Sequence, residues 1–313
     1  MAITNIRKTS IILDEFTSSG IWYKPAGAVQ VTVEVIGGGG GGSGGDWPSG
    51  TSTTSSPRYG GQGGEAYYGT FVDPDVLPET VAVLVGNGGT GGASPATIDN
   101  SPSNGGAGTS SSFGSIVVAG GAGGTASNPS AAQRSYPFVW PYAATGYPVL
   151  TPSVLGGQGA PAGVGFAGYR NEIGGGAGGV GGYWYSTSAG THAAATAGGK
   201  REGISGYLWR YGPDANISGG GGNAGLGNGS TIAPTAGSAG TAGSGGGGGG
   251  AANKGAGALI DYAGKPGGNG GVPGGGGGGA GASYTSAAAS LSRGAGGNGG
   301  AGRVRVWTLV AGK

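Results

Sequence analysis

The sequence predicts a mainly β and irregular fold: a small β platform built from the N- and C-terminal strands, carrying a bundle of packed polyglycine-II helices with long aromatic loops. Three observations predict it. The chain holds 86 Gly and 17 Pro in 313 residues, far above the usage of ordinary globular domains. In many glycine-rich stretches the non-glycine residues recur at intervals of three. Both ends of the chain alternate apolar and polar residues, as a strand with one buried face does.

Composition narrows the class. Collagen needs an unbroken Gly-X-Y period, but here the period breaks repeatedly and several glycine runs contain no proline. Disordered chains are poor in aromatics and rich in charge, whereas this one has 6 Trp, 14 Tyr and 5 Phe, 9% charged residues and a net charge of +2. The 15 basic residues form no run able to track a phosphate backbone, which argues against a nucleic-acid partner. With no cysteine there is no disulfide framework, thiol nucleophile or thiolate metal site. The opening MAITNIRKTSIILDEF has an apolar core of only Ile11, Ile12 and Leu13, too short for a signal peptide. No window approaches the ~20 apolar residues of a membrane helix. Synthesis and assembly in the cytoplasm are expected.

Residues 1–15 read as an N-terminal attachment segment and 16–313 as a single glycine-rich domain. Strands are expected near 29–36, 80–85, 115–119 and 303–310. In the first, Val29, Val31, Val33 and Val35 share one face, with Gln30, Thr32 and Glu34 opposite. In the last, Val304, Val306 and Thr308 oppose Arg303, Arg305 and Trp307. Trp22 and Trp307 are expected in the platform core. Frequent glycine removes helix propensity throughout.

The glycine segments carry a finer pattern. Residues 86–93 place Asn87, Thr90 and Ala93 three apart; 266–272 place Pro266, Asn269 and Val272; 294–302 place Ala295, Asn298 and Ala301. The unit is x-Gly-Gly. A left-handed helix with three residues per turn and no internal hydrogen bonds would align such side chains on one edge. Its two bare edges could then bond neighbouring helices through the backbone, which must find partners when buried. A fully surrounded helix tolerates no side chain, so Gly37–Gly42, Gly245–Gly250 and Gly274–Gly279 are expected at or near the centre.

The large side chains lie between glycine segments. Trp47 and Tyr59 flank one connection; Tyr136, Phe138, Trp140, Tyr142 and Tyr147 fill a second; Tyr183, Trp184, Tyr185, Tyr207, Trp209 and Tyr211 mark a third. Aromatic loops on a rigid scaffold suit recognition, because they offer large area with few rotatable bonds. These residues are the candidate receptor-binding set. Catalytic, metal and cofactor sites are not expected. His192 stands alone with only Glu202 nearby, and Asp73 and Asp75 around Pro74 read as turn chemistry. Matches to G-x-G-x-x-G carry no information in so glycine-rich a chain, and no lysine follows in phosphate-loop register.

The stretch FTSSGIWYKPAGAVQVTVEVIGGGGGG (16–42) resembles the opening of glycine-rich domains in bacteriophage tail fibre and tail tip proteins. The closing GGAGRVRVWTL is similar to their last glycine run and strand. The resemblance implies a virion protein of the tail, a polyglycine-II adhesin attaching the particle to its host. Its partners would be a bacterial surface receptor (outer-membrane protein, pilus or polysaccharide) and other virion tail proteins, with a homotrimer among the possible assemblies. The alternative is a purely structural virion component, a capsid or tail decoration whose loops bind neighbouring subunits.

Overall fold

The computed structural model describes residues 9–47, 58–71, 73–97, 100–119, 264–283 and 294–312. Shorter pieces are described at 121, 175–176, 178–179, 181–184, 192–193, 195, 198, 236–240 and 249. Among these residues the fold is strands and irregular structure with no α-helix. The strands are β1 (Thr9–Phe16), β2 (Gly20–Tyr23), β3 (Ala28–Ile36), β4 (Ala66–Phe71), β5 (Thr80–Leu84), β6 (Ser111–Phe113), β7 (Val117–Ala119), β8 (Tyr183–Trp184), β9 (His192–Ala193) and β10 (Arg303–Ala311). One 3₁₀ turn, Pro74–Val76, is capped by the Asp73 side chain accepting from Asp75 N at 3.1 Å, as the turn reading of these residues anticipates.

Two four-stranded sheets, ordered β1-β10-β3-β4 and β2-β5-β6-β7, form the platform. Between them lie Val31, Val33 and Val35 of β3, Val304 and Val306 of β10, and Trp22, Phe71, Val81, Val83 and Phe113. The rings of Trp22 and Phe113 meet edge-on, centroids 5.3 Å apart, a favoured aromatic geometry. Trp22 also donates its indole N–H to Asp14 at 3.1 Å. The chain's two ends thus share one sheet, since β10 lies antiparallel between β1 and β3.

Several elements differ from the sequence reading. Residues 9–15, read as a segment ahead of the domain, form most of β1 and pair with Arg305–Ala311 of β10. The strand expected near 115–119 is β7, and it pairs through a turn at Gly114 (φ 58) with β6, which the sequence reading did not anticipate. Val29 is 41% exposed, whereas Thr32 and Glu34 on the opposite face are buried. Val29 lies at the bulge against β10 and beyond the reach of β4, whose pairing begins at Val31, whereas Glu34 is covered by Arg303 of β10 at 3.2 Å. Trp307 lies on that same outer face, level with Leu13 and Thr32, and is half-buried.

The glycine segments run side by side from the sandwich, joined by backbone hydrogen bonds that repeat every three residues. In the run 37–45, Gly37, Gly40 and Ser43 donate to Glu65, Gln62 and Tyr59. Gly38, Gly41 and Gly44 donate to Thr109, Gly106 and Ser103, while Gly39, Gly42 and Gly45 donate to Gly300, Gly297 and Gly294, all at 2.9–3.1 Å. Three neighbours thus each take every third amide, all antiparallel. Two parallel neighbours return bonds: Gly89 and Gly92 donate to Gly39 and Gly42, and Gly277 and Ala280 to Gly40 and Ser43.

The run 274–283 repeats the scheme. Its amides go by threes to 265–271, to 176–182 and to 40–46, and its carbonyls accept from 61–64, from 297–300 and from Gly249. Every residue of 37–45 and 274–283 is buried. Outer segments instead cycle through exposed, intermediate and buried, with Asn87, Thr90 and Ala93 exposed on one and Ala295 and Asn298 on another. Exposed asparagines also cap outward-facing amides: Asn298 Oδ1 accepts from Gly91 N at 2.7 Å, and Asn269 Oδ1 from Asn298 N at 2.9 Å.

Two stability predictions follow from this packing. A Cβ at Gly41 would collide with the Thr90 carbonyl, and one at Gly277 with the Gly297 carbonyl. Gly41→Ala or Gly277→Ala should destabilise by about 3 kcal/mol or more through overpacking, and Thr90→Ser by under about 0.5 kcal/mol as a surface change; thermal melts compare them. In the sandwich, Phe113→Ala should cost about 3–5 kcal/mol through the cavity it leaves, read as a lowered urea midpoint at unchanged slope.

Candidate functional site

The sandwich occupies one end of the array. Ile36 leads directly into Gly37, Glu65 into β4, Leu84 into the segment from Gly86, Ser110 into β6 and Gly302 into β10. The other, far end is therefore where runs 37–46, 176–182 and 274–283 finish and where 58–65, 103–110 and 294–302 begin. Glycine cannot seal this end, and polar side chains appear there.

Asp46 and Arg58 face each other at 2.8 Å, with side chains only 15% and 17% exposed. They close the connection between the first run and its antiparallel return. Arg58 accepts from Gly181 N at 2.7 Å through its carbonyl, and Asp46 from Ser283 N at 2.8 Å, so the pair ties four segments together, 37–46, 58–65, 176–182 and 274–283. Ser283 Oγ accepts from Gly264 N at 2.9 Å, and Ser94 Oγ donates to the Gly294 carbonyl. Sequence reasoning missed this clasp; its one trace is opposite charges flanking the 47–57 connection.

Trp47 is buried, 5% exposed, so its indole packs at the end of the first run. Tyr59 is half-buried, its carbonyl accepting from Ser43 N. Tyr183 and Trp184 form β8, and β9 places Ala193 opposite Tyr183 and His192 opposite Trp184. Tyr136, Phe138, Trp140, Tyr142, Tyr147, Tyr185, Tyr207, Trp209 and Tyr211 lie outside the described residues, as do all of Gly245–Gly250 except Gly249.

The flanks of the two aromatic windows differ. The 183–211 window is bounded by Gly182, bonded to Ala282, and by Gly237, bonded to Pro266, both toward the far end. The 134–147 window is bounded by Gly121, which lies against Gly108 and Thr109, and by Gly175, bonded to Gly64, both beside the sandwich.

Among the described residues no three His, Cys, Asp or Glu side chains converge where they could hold a metal ion. No helix among them is long and apolar enough to cross a membrane. No protein-family model matches the chain, and a search of curated proteins finds no match.

Because the clasp bridges separate runs, its loss should act locally. Arg58→Met should speed amide exchange at Gly181, Gly182 and Ser283 by about ten-fold or more while leaving Val33 and Val306 of the sandwich unchanged. Hydrogen exchange read by NMR makes the comparison.

Proposed function

We propose that this chain is a non-enzymatic bacteriophage tail protein: an adhesin whose polyglycine-II bundle carries aromatic loops to the host surface. The observation that carries the reading is the three-residue hydrogen-bond period around two buried glycine runs. It is the bonding expected of packed left-handed helices with three residues per turn. A core made of such rods has few side chains to rearrange, so the connections leaving its end can vary in sequence while their anchor points stay fixed.

Recognition then falls to the connections that leave the far end, above all residues 183–211, which follow Gly182 there; Trp47, buried at the end of the first run, supports that end rather than offering a contact. Tyr and Trp present large rigid faces with polar tips, suited to a protein loop, a pilus or a polysaccharide. Modest affinity per copy suffices, because several copies on one virion bind by avidity. The sandwich, at the opposite end of the array from these connections, is the end suited to mounting on other tail proteins.

The test is adsorption of the purified, fluorescently labelled chain to a panel of intact bacteria, beside a variant in which 183–211 is a short Gly-Ser link. Strain-selective binding that falls at least ten-fold in the variant is the expected outcome. Absence of binding to every strain, the phage's own host included, would favour the structural virion role, with these loops packed on neighbouring subunits.

A further inference from the structure

The edge of a sheet is a template for pairing with another chain, and folds blunt edges by keeping them short or interrupting them. Three of the four edges of the sandwich are blunted in this way. β2 and β7 have four and three residues, and β4 has six with Gly69 among them. The fourth edge is β1, eight residues long, TSIILDEF, with no Pro, Gly or Lys and no bulge against β10. Among the described residues no strand lies beyond it. Thr9–Leu13 are all exposed, Ile11, Ile12 and Leu13 by 48%, 39% and 42%. Residues of both side-chain parities are thus open to water on this strand.

The direction of its free hydrogen-bonding groups follows from the sheet. Gly37 donates to Glu65, on the β4 side of β3, and successive residues of a strand bond to opposite neighbours. Ile36, Glu34 and Thr32 therefore bond β10, through Arg303, Arg305 and Trp307 opposite them. Ala311 N donates to Gly27 on the same side. The intervening residues of β10, Val304 to Val310, serve β1 and are opposed by its even residues. The odd residues, Thr9, Ile11, Leu13 and Glu15, turn their N–H and C=O groups to the open edge.

We propose that a second copy of the chain pairs there, β1 against β1, antiparallel about a two-fold axis at Ile12, so that two four-stranded sheets become one of eight. Bonding needs odd residues opposite odd ones, so the axis falls on a residue and not between two. An axis at Ile11 sets Ser10 and Thr9 against Ile12 and Leu13, mixing polar with apolar. One at Leu13 sets both carboxylates against isoleucines, and one at Asp14 sets that carboxylate against itself, where like charges repel. At Ile12 the strand is self-complementary. Ile11 meets the partner's Leu13 twice on the outer face, Ile12 meets its own copy, and Asp14 and Glu15 face the hydroxyls of Ser10 and Thr9. Both carboxylates already hold partners in their own chain, the Trp22 indole at 3.1 Å and Arg305 at 2.5 Å, so no bare charge is enclosed.

The pairing fixes the shape of the dimer. Phe16 opposes Val304, just after Gly302 of the array, so the C-terminal end of β1 is its array end. Antiparallel mates therefore send their arrays in opposite directions, with the two sandwiches at the waist. The association does not depend on the adhesin reading; joined to it, mounting on tail proteins falls to this waist and a far end lies at each pole.

Sedimentation equilibrium of the full chain tests the proposal, with a particle of twice the 29.2 kDa chain mass expected. Ile11→Pro removes an edge donor from each copy and no bond to β10, and should weaken the dimer by about ten-fold or more. Unchanged amide exchange at Val33 and Val35 shows that this variant stays folded. The chain has no cysteine, so Ile12→Cys reads the register by itself: residues facing each other in a non-bonded pair sit about 4.5 Å apart, within disulfide reach. Ile12→Cys should cross-link on mild oxidation and Leu13→Cys should not. A monomer at every concentration, a trimer, or a dimer indifferent to Ile11→Pro would overturn the proposal, and cross-linking through Leu13→Cys in place of Ile12→Cys would overturn the register. No bacterium enters these measurements, so their failure is distinct from failure of the adhesin reading.

Discussion

Main-chain hydrogen bonding between glycine segments is the constraint on which the structure depends. A peptide group offers one donor and one acceptor, and in ordinary domains helices and sheets absorb both. Here the absorbing partner is another extended segment, reached in three directions per turn, and contact this close is sterically open only where Cβ is missing. The two buried runs and their neighbours are therefore fixed together: each serves as ligand to the others, and none can bury its backbone alone. The outer segments relax the requirement on one edge, and there Asn, Thr, Ala and Pro return.

Ordering so many glycines costs on the order of 1–2 kcal/mol per residue, and a bonding pattern that repeats every three residues could slip by one period. The sandwich opposes both. Five strands, β3, β4, β5, β6 and β10, enter or leave the array directly, so their own register, set by Val31, Val33, Val35, Val304 and Val306 in the core, dictates where each segment begins. Pairing β1 with β10 brings both ends of a long chain into one sheet. The hydrophobic core is small, and its service is alignment as much as cohesion.

The parts legible in the sequence are those whose cause is local. Alternating valines gave away β3 and β10, and unbroken glycine runs gave away the positions at 37–42 and 274–279 that no side chain could occupy. Elements set by a distant partner were hidden. TSIILDEF has no clean alternation, because β1 is defined by lying along β10 nearly 300 residues away. Glu34 looks like a solvent-facing residue until Arg303 is placed beside it. At the far end, aromatic content marked Trp47 and Tyr59 as recognition candidates, yet Trp47 is buried and Tyr59 half-buried, because whether a ring faces water is decided by the packing around it. The Asp46–Arg58 clasp had no motif of its own, since a single pair of opposite charges is common and its meaning lies in the four segments it joins.

A core composed of backbone has a thermal consequence. The heat-capacity increment of unfolding comes from apolar surface newly exposed to water, while exposed polar surface subtracts from it. Unfolding the buried glycine runs releases chiefly peptide groups, so each of their residues adds less than the usual ~12–15 cal/mol/K. A small increment flattens the curve of stability against temperature. The protein would hold its structure nearly evenly over a wide span of temperature, across which proteins stabilised mainly by hydrocarbon burial gain and lose considerably more.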